Sequence, residues 1–288
     1  MMTLTTDLTS FLPEPAVIAA QVAAALAEDV GAGDLTAALI PAAQRTRAEL
    51  ITREAATLCG SAWFEMVFKQ LDSDCRVSWA AHDGERIAPG QHLCTLEGNT
   101  RAVLTGERTA MNYLQMLSGT ATRARQFADA VAGLPVRVLD TRKTLPGLRI
   151  QQKYAVRCGG CDNHRIGLFD MILIKENHIV AAGSISAALA AARALNADVA
   201  IEIEVESLAE MALALEAGAQ LILLDNFSLA QLREAVKLNG GRAQLEASGN
   251  MNLATIRAVA ETGVNRISVG GLTKDVTAVD LSLRVMGG

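Results

Sequence analysis

Aromatic side chains are scarce in this chain: Phe, Trp and Tyr make up 3% of its 288 residues. A core must therefore come mostly from Ala, Leu, Ile and Val. Apolar runs of membrane length are missing as well. A spanning helix needs roughly 20 predominantly apolar residues, whereas "PAVIAAQVAAALAED" is short and ends in acids. The segment "MMTLTTDLTSFLPEP" has no basic residue, so no secretion signal is expected. Net charge is −5, which argues against the basic face of a nucleic-acid binder. Five cysteines, an odd number, fit a reducing cytoplasm. Lysine is almost absent from the first 142 residues, where only Lys69 occurs. "DGERIAPGQHLCTLEG" has the hairpin rhythm of a biotinyl or lipoyl carrier, but no lysine sits on its turn to be modified.

With 50% hydrophobic and 20% charged residues, the chain has globular composition and suits one large domain or two. The first hundred residues read as mixed α and β. An Ala-rich helix is expected over 15–28, a strand at "AELITREAATLCG", a short helix near 62–70, and an antiparallel meander over "RVSWAAHDGERIAPGQHLCTLEG". Apolar positions three and four apart predict a long helix over 102–131. From about 136, apolar runs ending in polar residues alternate with helices. "VRVLD" ends at Asp140, "MILIK" at Lys175, "LILLD" at Asp225, "AQLEAS" at Ser248 and "RISVGG" at Gly270 and Gly271; "VAIEIEV" presents Glu202, Glu204 and Glu206. Ser207 with Glu210, and Ser228 with Gln231, have capping-box spacing; Gly218, Gly240 and Gly263 mark helix stops.

This order implies parallel β/α units closed into an α/β barrel. It is an incomplete barrel of six strands, or seven if one lies near 150–160, beside a smaller N-terminal α/β domain. The expected division is 1–115 for the N-terminal domain and 116–274 for the barrel, with 275–288 returning to the first domain as an edge strand.

The polar residues at the strand ends suggest chemistry, because β/α barrels build their sites there. Arg142, Lys143, His164, Arg165 and Lys175 cluster in a stretch that also holds Arg149, Lys153, Arg157 and His178. Between residues 142 and 178 the acids are only Asp162, Asp170 and Glu176. Surface ion pairing is the plainer account, but so many cations at one rim call for a polyanion, and guanidinium groups match carboxylates and phosphates in a bidentate way. "EASGNMN" and "SVGGLT" place small residues, with helix starts expected beside them, where backbone N–H groups could meet a phosphate. Glu204 and Asp225 could hold Mg²⁺, directly or through water, or accept ribose hydroxyls; pairing with Lys175 or Arg165 is the alternative. Cys158 and Cys161 form C-x-x-C without a second pair at zinc-site spacing. His178 reads as structural.

The motifs "EDVGAGDLTAALIP", "GERTAMNYLQMLSGTAT", "DTRKTLPGLR", "DNHRIGL", "ILIKENHI", "IEIEVE", "LILLDNFS", "EASGN" and "ISVGGLT" together resemble the quinolinate phosphoribosyltransferase family from about residue 28 onward. Cys161 stands where a third glycine is expected. The resemblance implies transfer of phosphoribose from 5-phosphoribosyl-1-pyrophosphate to quinolinate with loss of CO₂, a requirement for Mg²⁺, small-molecule substrates without nucleic acid or membrane, and a homodimer. It implies that Arg142, His164, Arg165 and Lys175 surround quinolinate, with Arg108 contributed by the partner subunit. Lys143 and Lys175 would meet the pyrophosphate, and Glu204 and Asp225 the ribose and magnesium. Thr141, Ser248, Gly249, Asn250, Val269, Gly270 and Gly271 would complete substrate binding. Catalysis would fall to Arg142, Lys143, Lys175, Glu204 and Asp225. A paralogue with another anionic substrate, a Schiff-base aldolase using Lys175, and a non-catalytic polyanion binder are the competing readings.

Overall fold

The structure is a computed structural model and describes residues 8–286. In chain order its first half contains α1 (Pro15–Val30), β1 (Arg45–Thr52), β2 (Ala56–Thr57), α2 (Ser61–Leu71), β3 (Arg76–Trp79), β4 (Arg86–Ile87), β5 (His92–Asn99) and α3 (Thr100–Ala130). There follow β6 (Arg137–Leu139), α4 (Arg149–Cys158), β7 (Met171–Ile174), α5 (Glu176–Ala182), α6 (Ile185–Ala194), β8 (Ala200–Val205) and α7 (Leu208–Glu216). The last are β9 (Leu221–Asp225), α8 (Leu229–Asn239), β10 (Gln244–Ser248), α9 (Ile256–Ala260), β11 (Arg266–Ser268), α10 (Gly271–Lys274) and β12 (Leu281–Val285). The chain forms two compact units. One contains the residues up to Arg125, then Ile150–Gly160, then those from Val276 on; the other contains Gln126–Arg149 and Cys161–Asp275.

The first unit is built on an antiparallel sheet of order β12-β1-β5-β3. Alternation fixes its register: Ala48, Leu50 and Thr52 of β1 are buried, with Leu96 opposite Ala48 and Cys94 opposite Leu50. A one-residue slip would turn that set outward. β12 adds itself along the other edge of β1, from Ala48 opposite Val285 to Thr52 opposite Leu281. The meander expected over β3 to β5 is interrupted. β3 pairs directly with β5, while β4 leaves to pair with β2.

The few aromatics are concentrated here. Trp63, Phe64 and Phe68 of α2 are fully buried, and Phe64 meets Phe68 edge-on at 5.1 Å and Trp79 at 5.4 Å. Each large ring buries more apolar area than an aliphatic side chain, so a small number suffices to anchor the unit. On α3, Val103, Ala110, Leu114, Leu117 and Ala121 are buried at helical spacing.

The second unit carries six parallel strands in the order β6-β11-β10-β9-β8-β7. The strands consecutive in sequence, β6 and β7, lie at the two ends of that order, so the sheet is an open, incomplete barrel. The seventh strand considered near 150–160 does not form. That segment is α4, whose apolar residues are spaced for a helix, and among the described residues the one further trace of pairing is a single bridge between Leu139 and Asp162. β9 is buried from Leu221 to Leu224, as expected for a parallel strand covered on both faces. Of the two expected capping boxes, only Ser228 with Gln231 is complete. Ser207 caps α7, but Glu210 turns back to accept from the Glu206 N–H instead.

The glycines of two motifs have steric causes. A Cβ on Gly119 would lie 2.0 Å from the Thr277 carbonyl oxygen, and one on Gly159 would lie 2.3 Å from the Ala124 Cβ. Gly160 has φ +87°. Cys161 does not share that left-handed backbone, so a side chain at this position costs no backbone strain. Gly→Ala within a helix normally stabilises by up to about 1 kcal/mol. At Gly119 the sign is expected to reverse, with Gly119→Ala destabilising the fold by about 2 kcal/mol or more through overpacking, as read from the denaturation midpoint.

Candidate active site

Pairing in a parallel sheet carries side chains of paired residues to the same face, and residues two apart share that face. Leu173 pairs with Glu202, Glu204 with Leu223, and Leu223 with Glu246. These side chains therefore point into the barrel together. Lys175, Asp225, Ser248 and Ser268 follow two residues after members of that set or their partners, at the C-terminal ends of the strands.

A cavity of about 260 Å³ opens there, lined by Thr141, Arg142, Lys143, His164, Arg165, Leu173, Lys175, Glu204, Leu223, Glu246, Ser248 and Ser268. It gathers four Arg and Lys side chains from two loops and one strand end. Lys175 donates to Glu204 at 2.5 Å, so the alternative of an internal pair holds for this lysine. The acids of the cationic stretch are engaged elsewhere: Asp162 pairs with Arg137 at 2.6 Å, Asp170 accepts the Ile166 and Gly167 N–H groups, and Glu176 accepts from the Asn177 side chain. Burial and the neighbouring Arg142 charge push the Arg165 guanidinium below its ordinary value.

The loop after β6 is held in shape by its own residues. The Thr141 hydroxyl accepts from the Lys143 N–H, and the buried Thr273 hydroxyl donates to the Lys143 carbonyl. Arg149 donates to Thr144 Oγ1, the Ile166 carbonyl and the Arg142 carbonyl. Arg149 thus clips the loop, and its charge is not among those lining the cavity.

Beneath the cations lies an acidic floor. Glu202 and Glu246 are fully buried. His164 Nε2 stands 2.9 Å from Glu202 Oε2 and 3.5 Å from Glu246 Oε1, and His164 Nδ1 accepts the Arg165 N–H at 2.8 Å. Asp140, buried at the end of β6, accepts from the His164 N–H and the Asn163 side chain. Burial raises the Glu246 carboxyl to about 7, and the Glu202 charge adds to this against His164, Ser268 and Arg266, which oppose it. Sequence reading passed over Glu246 and Asp140. Their signal was an acid inside an apolar strand or at its end, which is costly unless partnered.

Two domain descriptions match the chain: the N-terminal domain of quinolinate phosphoribosyl transferase over residues 34–118 and its C-terminal domain over 120–284. The chain belongs to the quinolinate phosphoribosyltransferase family. A tobacco (Nicotiana tabacum) quinolinate phosphoribosyltransferase [decarboxylating] is 38% identical, covering 91% of this chain and 80% of the relative. A probable nicotinate-nucleotide pyrophosphorylase [carboxylating] of Bacillus subtilis is 40% identical, covering 90% of each chain. The solved nicotinate-nucleotide pyrophosphorylase of Francisella tularensis superposes with a TM-score of 0.91 at 43% identity, over 96% of this chain and 98% of its own.

The remaining positions that quinolinate phosphoribosyltransferase resemblance singled out stand around the cavity or apart from it. Asp225, paired with Ser248, accepts from the Asn226 side chain at 2.6 Å. Gly249 has φ +103°, and a Cβ there would meet Asn226 Oδ1 at 2.2 Å; Asn250 also has positive φ. Val269 is buried, its N–H bonded to the Leu139 carbonyl. A Cβ on Gly270 would lie 2.9 Å from Lys143 Cδ, and one on Gly271 would lie 3.0 Å from Asp275 Oδ2. The helix starts expected beside these loops are weaker than foreseen. After β10 an Asn252-capped turn intervenes, so α9 begins only at Ile256, and α10 has four residues. Arg108 is an exposed residue of α3 in the first unit. Cys158 groups with Cys59 and Asp83, and Asp83 already accepts from Gly60, Ser61 and Tyr154. His178, exposed, accepts the Lys175 N–H at the start of α5. Among the described residues no helix is long and apolar enough to cross a membrane.

Folding takes up a proton at Glu246 wherever the pH lies between the ordinary glutamate value of 4.5 and the folded value of about 7. This contribution to stability therefore falls as pH rises through that window and levels off above it. Glu246→Gln is expected to stabilise the protein relative to the parent by about 2–3 kcal/mol at pH 8 and by little at pH 5, measured as paired urea unfolding curves.

Proposed function

We propose that this chain joins quinolinate to 5-phosphoribosyl-1-pyrophosphate, releasing pyrophosphate and CO₂ and forming nicotinate mononucleotide for NAD biosynthesis. The single observation that carries this reading is the cation-lined cavity at the strand ends. Arg142, Lys143, Arg165 and Lys175 meet around one space, and the reaction brings together two adjacent ring carboxylates and a sugar bearing a diphosphate and a phosphate. Without clustered cations those groups would repel each other.

Arg142 and Arg165 grip the carboxylates of quinolinate and turn its ring nitrogen toward the anomeric carbon. The nitrogen lone pair forms the new C–N bond as the C–O bond to pyrophosphate breaks, and the leaving group takes that electron pair. Lys143 and Lys175 stabilise the negative charge gathering on the departing oxygen. The ring nitrogen, now positive, stabilises the electron pair left at C2 when CO₂ departs, and a proton completes the product. No covalent nucleophile is required. Ser248, Gly249 and Asn250 after β10, with Val269, Gly270, Gly271 and Thr141, receive the 5-phosphate side.

Glu204 and Asp225 are hard oxygen donors on one face of adjacent strands, a donor set that suits Mg²⁺. They would hold the ion directly or through water, and it would supply charge neutralisation to the diphosphate. Arg108 of a second copy completes the quinolinate site in a homodimer, a reading that rests on resemblance and on the exposure of this side chain. Free cysteines throughout fit a reducing compartment, read as the cytoplasm.

An aldolase needs its lysine amine free to attack a carbonyl, whereas the Lys175 amine is hydrogen-bonded to the Glu204 carboxylate. Purified protein supplied with quinolinate, phosphoribosyl pyrophosphate and Mg²⁺ is expected to release one CO₂ per pyrophosphate. Binding of both substrates without CO₂ would refute the enzyme reading. Arg142→Ala and Arg165→Ala are each expected to lower kcat/KM for quinolinate by about 100-fold or more, from lost charge-assisted contacts, with thermal midpoints near that of the parent.

A further inference from the structure

The floor of the cavity contains more acid than its histidine can neutralise. Because Nδ1 of His164 accepts the Arg165 N–H, Nε2 is the ring nitrogen left to donate. That one N–H faces two fully buried carboxyls, 2.9 Å from Glu202 and 3.5 Å from Glu246. Glu246 forms part of the cavity wall. The other groups facing it are Arg266 and Ser268 from β11, and β9 contributes only Leu223 at the paired position. Above it stand Arg142, Lys143, Arg165 and Lys175, with Glu204. An ionised Glu246 would place a second buried negative charge directly under the anion the cavity is to hold.

We propose that Glu246 is a specificity-determining residue of the cavity floor: it must carry a proton for a dicarboxylate to bind, so substrate and proton are taken up together. This rests on the dicarboxylate substrate proposed above. The carboxyl proton removes the repulsion between floor and ligand, and the rim cations are then left to the substrate. His164 is in this account a positioning residue. It offers no second N–H to the ligand, and it ties the Arg165 backbone to the floor.

The test uses the full chain with phosphoribosyl pyrophosphate and Mg²⁺ and follows quinolinate KM and kcat from pH 6 to 9. KM is expected to rise above about pH 7, approaching tenfold per pH unit, while kcat lacks that slope. Calorimetric titration with quinolinate alone at pH 8, in two buffers of different ionisation enthalpy, is expected to show uptake of close to one proton. In Glu246→Gln both the slope and the uptake are expected to vanish. Turnover with a flat KM in the parent protein, or an equal slope in the variant, overturns this inference alone. Absence of turnover and binding at every pH overturns the functional reading, and this inference with it. Should the variant not fold, proton uptake by the parent protein decides by its presence or absence.

Discussion

Like charges held close together in a partly dry space are the constraint around which the second unit is organised. Four cationic side chains face one cavity, and two carboxyls lie buried beneath it. Neither set is stable by itself, since burial penalises the charged form of each. The arrangement is tolerable because the charges are layered, acids below and bases above, with the His164 ring between them. A parallel barrel makes the layering possible. Successive inner-face residues of one strand lie at successive depths, as Glu202 and Glu204 do in β8 and Glu246 and Ser248 in β10.

Much of this was legible in the sequence because parallel strands announce themselves as apolar runs with polar ends. Most of the polar residues that line the cavity, among them Arg142, Lys143, His164, Arg165, Lys175, Glu204 and Ser248, come from motifs already singled out in the sequence. Glu204 was separable from Glu206 only by choice, since alternation gives both the same face. The structure separates them by depth, with Glu202 sealed, Glu204 at the cavity and Glu206 exposed.

What escaped the sequence depends on contacts between distant segments. Arg149 looks like one more cation, yet its guanidinium clips a loop through three oxygen acceptors, which only the fold brings near. Glu246 looks like an isolated acid inside a strand, and its neighbours Glu202 and His164 come from elsewhere in the chain. The 150–160 segment invited reading as a strand because the barrel count called for one; the spacing of its apolar Ile150, Tyr154 and Cys158, four apart, is helical. Gly119 lies inside a predicted helix and Gly159 in the C-x-x-C turn, and neither position betrays in sequence that another part of the chain passes too close to leave room for a Cβ.

The path of the chain through the two units has a consequence for how the protein can be made and altered. The first unit takes its sheet edge, β12, from sequence that follows the whole of the second, and borrows α4 from the middle. A ribosome must therefore deliver the entire barrel before the first unit can complete its own sheet. Neither unit corresponds to an uninterrupted length of gene, so neither can be exchanged between relatives as a cassette without cutting the other.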